Sequence, residues 1–134
     1  MASELRVNTL KDASGNNSVG MSTVAGGSAK VWATLDTDST VVLFDSFNVS
    51  SISDDKTGGY GVTPTSNMSD GNYYSCGTCA YSSQTSDHDR YLADNYTGGG
   101  MDARRTSSNC KVGAYESSYK DTYTVGLMFM GDLA

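Results

Sequence analysis

Apolar and polar positions alternate most regularly near the C-terminus, where Val125, Leu127 and Phe129 interleave with Thr124, Gly126, Met128 and Met130. A period of two sends successive side chains to opposite faces, so Asp121 to Met130 is expected as a strand. Both faces of it are apolar, which predicts a central strand or one at a subunit contact. Upstream, Lys30 to Leu35 and the dense apolar run Thr40 to Phe47 flank the polar turn Asp36 to Ser39, the pattern of a hairpin. Val49 to Ser53 is expected to continue this meander, and Asp54 to Gly59 turns the chain again. Tyr60 to Thr63 alternates before Pro64, the only proline, which belongs at a strand end or edge because it has no ladder donor. Asn72 to Ser83 predicts a long strand with Tyr74, Cys76, Thr78 and Ala80 on one face and Tyr73, Ser75, Cys79 and Tyr81 on the other. Ala103 to Tyr115 is a further strand candidate.

The first fifth of the chain is patterned differently. Leu5, Val7 and Thr9 alternate briefly before the polar turn Asp12 to Asn17, and Val19 to Ser28 is small and glycine-interrupted, as in a linker or extended arm. Gln84 to Gly100 is polar and predicts a long exposed loop, where specific contacts concentrate. Turn signals recur roughly every ten residues, the spacing of a sandwich or barrel-like β domain. The expected architecture is therefore an all-β domain over residues 29–134, an antiparallel β-sandwich or barrel, behind an extended N-terminal arm over residues 1–28. Such an arm buries little by itself and gains stability by pairing with copies of itself or with another protein.

Composition agrees with the strands and narrows the partners. Of 134 residues, 20 are Ser, 14 Thr and 15 Gly, while Leu numbers only seven, so turn and strand formers outweigh helix formers. The net charge of −6 gives no basic footprint for a nucleic-acid backbone or an anionic membrane surface. No run approaches the roughly 18 apolar residues of a membrane helix, and no apolar signal segment opens the chain. The expectation is synthesis in the cytoplasm of the producing cell without membrane insertion, and the odd count of Cys76, Cys79 and Cys110 argues for reduced thiols. Without a signal segment, the sequons at Asn16, Asn48, Asn67 and Asn95 carry little weight.

Candidate chemistry is sparse. Cys76-Gly77-Thr78-Cys79 is a CxxC, but on a strand its thiols point to opposite faces, whereas a zinc knuckle holds the pair on a turn with two further ligands, here Cys110 and His88. His88, the single histidine, lies among charges in Ser86-Asp87-His88-Asp89-Arg90, which suits a solvated loop better than a base beside a nucleophile. Asp87, Asp89 and Asp94 could form a carboxylate pair for glycoside chemistry, and Asp36-Thr37-Asp38 begins like a calcium loop that no twelfth-position Glu completes. Asp in such places ordinarily caps turns. The expectation is no enzyme, no cofactor and no metal site. Nine Tyr stand against three Phe and one Trp, and Tyr gives a rigid contact with a polar tip. Tyr91, Tyr96, Asp87 and Asp89 in the polar loop are therefore the candidate receptor-binding residues.

The opening Glu4 to Ser18, Gly27-Ser28-Ala29-Lys30-Val31-Trp32-Ala33, and Phe44 to Asp54 (FDSFNVSSISD) resemble the start and repeated module of marine bacteriophage tail-fibre and appendage proteins. The Gly-Tyr-x-Val strand at Gly59 and the Met68-x-Asp70-Gly71-Asn72-Tyr73 turn fit the same module, covering roughly residues 4 to 80. The resemblance implies a virion structural protein, β-rich and homotrimeric, with its N-terminal segment docked on the particle and its β domain facing the medium. Leu5, Val7 and Leu10 then become the candidate docking and oligomerisation residues. The implied partners are further copies of the chain and other virion proteins, with a host-surface glycan or protein beyond them. Ser75 to Thr124 departs from the module. Alternatives are a capsid decoration or head-fibre protein and a small carbohydrate-binding module.

Overall fold

The computed structural model describes residues 5–80, 91–93, 106–115 and 121–134, with side chains undescribed at 91–93 and 115. The elements are β1 (Thr9–Lys11), β2 (Ser18–Gly20), α1 (Met21–Gly27), β3 (Ala29–Asp36), β4 (Val42–Phe47), β5 (Val49–Lys56), β6 (Gly59–Pro64), β7 (Tyr74–Ala80), β8 (Tyr91–Ala93), β9 (Cys110–Tyr115) and β10 (Thr124–Met130). The protein is mostly β and antiparallel, as the alternation predicts. Two four-stranded sheets, ordered β4-β3-β10-β7 and β5-β6-β9-β8, carry the mass of the fold, and β1 and β2 form a separate hairpin. Neither large sheet closes on itself, so the barrel form of the expectation is not the one adopted.

One apolar cluster joins the two sheets. Val31, Ala33 and Leu35 of β3 and Val125, Leu127 and Phe129 of β10 meet Tyr60 and Val62 of β6 and Cys110, Val112 and Ala114 of β9. These are alternate residues along each strand, which is what burying one face of a pleated sheet requires. Phe129, wholly buried, lies edge-on to Tyr73 with ring centroids 5.5 Å apart. Met68 closes one end beneath Gly131. A Cβ on that glycine would stand 3.0 Å from both Met68 Cε and Tyr73 Cβ, so the close approach needs a residue without one.

β3 and β4 pair as the hairpin expected, but the chain does not continue as a meander. Asn48 alone separates β4 from β5, and β5 belongs to the other sheet. Asn48 has φ 57°, in the left-handed region that Asn tolerates better than most residues. The β5–β6 turn is Thr57-Gly58, with Gly58 at φ 65°, and Pro64 ends β6 as its missing N–H demands.

Three further readings are corrected. Residues 21–27, expected as extended, form the helix α1, which has no side-chain cap and no buried residue. The strand expected from Ala103 begins at Cys110, after a tight turn in which Thr106 and Asn109 exchange backbone hydrogen bonds of 3.3 Å. Within the stretch expected as one exposed loop, residues 91–93 form β8, with Tyr91 opposite Tyr115 of β9.

Candidate functional site: exposed apolar surfaces

The candidate docking residues lie where no core covers them. Leu5 is 81% and Leu10 44% exposed, and Val7 is exposed as well. The alternation at Leu5 and Val7 does not make a strand; β1 starts at Thr9, and Leu10 stands directly across from Val19 of β2. The hairpin is held by its own turn. Asp12 accepts from Asn17 Nδ2 at 2.7 Å, from Asn16 N at 3.0 Å and from Ser14 Oγ at 3.0 Å. These bonds to the ionised form, that of Asn17 first, hold the Asp12 carboxyl below its ordinary range. The arm is thus locally structured by polar contacts while its apolar side chains face outward. At its other end Lys30 Nζ reaches Ser28 Oγ at 2.6 Å and the carbonyl of Ala25, fastening the end of α1 to β3.

The second exposed apolar surface is the outer face of the β4-β3-β10-β7 sheet. Because no register shift interrupts β7 against β10, its residues align in rows across the strands. One row runs Phe47, Trp32, Met128, Cys76. The next runs Asp45, Thr34, Gly126, Thr78, and the row after it Val42, Asp36, Thr124, Ala80. On the other side Met130 faces Tyr74, which is 63% exposed. Since Gly126 has no side chain, the second row sinks into an open trench of about 250 Å³ beside the ridge made by Trp32 and Met128. A bulge opposite Leu35 throws Phe44 outward at the sheet edge. The expectation that the last strand is apolar on both faces and central or at a subunit contact is met in its first form: β10 lies between β3 and β7.

Among the described residues, the outer positions of β5, β6 and β9 in the other sheet are polar or glycine. Ser53, Gly61 and Lys111 form a row across β5, β6 and β9, and Lys111 Nζ lies 2.7 Å from Asp55 Oδ2.

The remaining candidates stand as follows. Cys76 and Cys79 are on opposite faces of β7, as the alternation predicts, Cys79 packing on the core and Cys76 in the ridge; Cys110 is buried in β9. Asp36 accepts from Asp38 N at 3.1 Å, a turn-capping bond. Among the described residues no three His, Cys, Asp or Glu side chains gather as metal ligands would. Tyr96, Asp87, Asp89, Asp94 and His88 lie outside the described residues, and of Tyr91 only the backbone is described. Sequence reasoning missed the Trp32–Met128 ridge, although Trp32 lies two residues from Lys30 and Thr34 on one strand face and the even-numbered positions of β10 were already noted as apolar. Comparison with family models, with curated proteins and with solved structures finds no match to this chain.

Proposed function

We propose that this chain is a structural component of a bacteriophage virion, a tail-fibre or fibre-like appendage subunit, with the two sheets acting as a β-sandwich head and the N-terminal arm as the docking element. It acts by assembly and attachment, as a homotrimer, and not by catalysis. The observation that carries the reading is the arm: Leu10 and Val19 are exposed on a hairpin that buries nothing of its own, and Leu5 is exposed ahead of it. A hairpin of this size is marginal alone, and apolar side chains presented on polar, self-bonded turns suit a segment that completes itself on a partner. The resemblance read in residues 4 to 80 to appendage modules supports a particle protein as that partner. Repetition of weak contacts over several copies then yields firm attachment.

The test is localisation. Particles made from the genome that encodes the chain are purified and labelled with antibody against residues 29–134. Labelling at the tail supports the appendage reading, labelling across the capsid selects a decoration or head-fibre protein instead, and absence from particles overturns both. A Leu5→Ser, Leu10→Ser variant is expected to fold and to be lost from the particle; retention at wild-type level removes the arm from the docking role.

A further inference from the structure

We propose that the outer face of the β4-β3-β10-β7 sheet is the surface through which copies of this chain pack on one another. Strand β10 carries the inference. Its odd-numbered residues Val125, Leu127 and Phe129 are consumed by the core, yet its even-numbered residues Gly126, Met128 and Met130 continue an apolar surface outward. Around these half-buried residues Phe47 (54%), Phe44 (61%) and Tyr74 (63%) are exposed, so apolar side chains reach both edges of the sheet among the polar Thr34, Asp36, Asp45, Thr78 and Thr124.

Three features favour a copy of the same chain as the occupant. First, ridge and trench lie side by side on one face: the Trp32–Met128 ridge is one row away from the Thr34–Gly126–Thr78 trench. A surface that meets its own copy must offer both knob and hole, and this one does. Second, the two central rows hold one charged residue, Asp45, although the chain has a net charge of −6. Identical copies repel through their acids, so they approach best where acids are few, and on this face Asp45 and Asp36 stand in the rows beyond the Phe47–Trp32–Met128–Cys76 row. Third, four strands about 4.8 Å apart and six to eight residues long give a footprint of roughly 450 Å² per copy, or about 900 Å² for a pair before side-chain relief is counted, the size of a weak contact that repetition over several copies strengthens. On the other sheet the described outer residues Lys111 and Asp55 are already paired with each other.

The inference deepens the oligomeric part of the reading above and is independent of where the protein resides. Its test is the solution mass of the full chain by light scattering and sedimentation. Wild type is expected at a multiple of 14.1 kDa. A Phe47→Glu, Thr78→Arg variant, altered at two exposed positions on this face, is expected to fall to 14.1 kDa with its circular dichroism unchanged, while Ser51→Glu on the opposite sheet keeps the wild-type mass. Cys76, in the ridge, gives a second reading: alkylation located by mass spectrometry is expected to be several-fold slower in wild type than in the face variant. An assembly that survives the face variant with unchanged Cys76 reactivity overturns this surface and leaves the oligomer standing. A monomeric wild type overturns the surface and the oligomer together, whatever the particle labelling shows.

Discussion

The side-chain amide of Asn48 brackets the peptide of Ser66: Asn48 Oδ1 accepts from Ser66 N at 2.7 Å, and Asn48 Nδ2 donates to Ser66 O at 3.0 Å. The same Nδ2 donates to Lys30 O at 3.0 Å, and Asn48 O accepts from Thr65 N at 3.1 Å. Lys30 belongs to one sheet and Ser66 follows the strand β6 of the other, so one side chain ties both sheets at the residue where the chain passes between them. No hydrophobic residue could do this, because the corner requires φ 57° together with a donor and an acceptor on a short stem.

Asn48→Ala is therefore expected to cost about 2–3 kcal/mol, combining the lost side-chain bonds with the loss of Asn's own tolerance of the left-handed region. Asn48→Gly removes the bonds but not the conformation and is expected to cost about 1 kcal/mol less than the alanine. Urea unfolding of both variants separates the two terms; equal losses would show that the backbone conformation carries no part of the effect.

A second junction is buried. Thr37 Oγ1 donates to Thr122 O at 2.7 Å and lies 3.0 Å from Thr122 Oγ1, and both residues are about 3% exposed. Thr37→Val keeps the shape and leaves the Thr122 carbonyl without this donor, at an expected cost of about 1–3 kcal/mol. Thr37→Ser restores the hydroxyl and is expected to recover more than half of it. Thermal unfolding of the pair checks this, and a valine variant as stable as wild type would mean that the bond contributes nothing net.

The strands were legible because burial of one sheet face writes itself into the chain with a period of two. Val31, Ala33 and Leu35, and likewise Val125, Leu127 and Phe129, are the inward residues that alternation selects. What alternation does not encode is which strand pairs with which. The passage from β4 to β5 looks like one more meander step until the φ of Asn48 and its bonds to Ser66 and Lys30 are known, and neither is a hydrophobic signal. Helix α1 escaped for a different reason: seven residues containing Thr23, Val24, Gly26 and Gly27 have weak helix propensity and no apolar stripe, and no buried contact compensates. The ridge at Trp32 and Met128 was half visible. The apolar outer residues of β10 are in its sequence, but their alignment with Trp32, Phe47 and Cys76 depends on registers set across four strands.

The core makes a third prediction. Phe129 is wholly buried and meets Tyr73 edge to face, so Phe129→Ala is expected to cost about 3–5 kcal/mol through lost transfer energy and the cavity left behind. Phe129→Leu, which fills most of that volume, is expected to cost less than half as much. Should calorimetry find both variants equally destabilised, the ring contact with Tyr73 would outweigh the volume. Gly131→Ala tests the neighbouring end of the core, where the added Cβ would press on Tyr73 Cβ at 3.0 Å.

The arm carries its own titration. Asp12 accepts bonds from Asn17, Ser14 and the backbone of Asn16 more strongly as a carboxylate than as the acid, and its folded pKa is lowered by them, Asn17 foremost. A group depressed in the folded state contributes stability above its unfolded pKa, about 4 for Asp, and loses it as pH falls through the lower folded value. The β1–β2 hairpin is accordingly expected to be ordered at pH 7 and to loosen below about pH 4, ahead of any change in the sheets that hold the core. Asp12→Asn should place the neutral pH hairpin in the loosened state and make it insensitive to acid. Amide exchange read at Leu10 and Val19, against Val31 and Phe129 as internal references, follows the two regions separately. Exchange at Leu10 that stays flat from pH 7 to pH 3, after correction for the intrinsic rate, would sever Asp12 from the ordering of the arm. Because Leu10 and Val19 face each other across this hairpin, the same titration would also alter how the arm presents its apolar side chains to a docking partner.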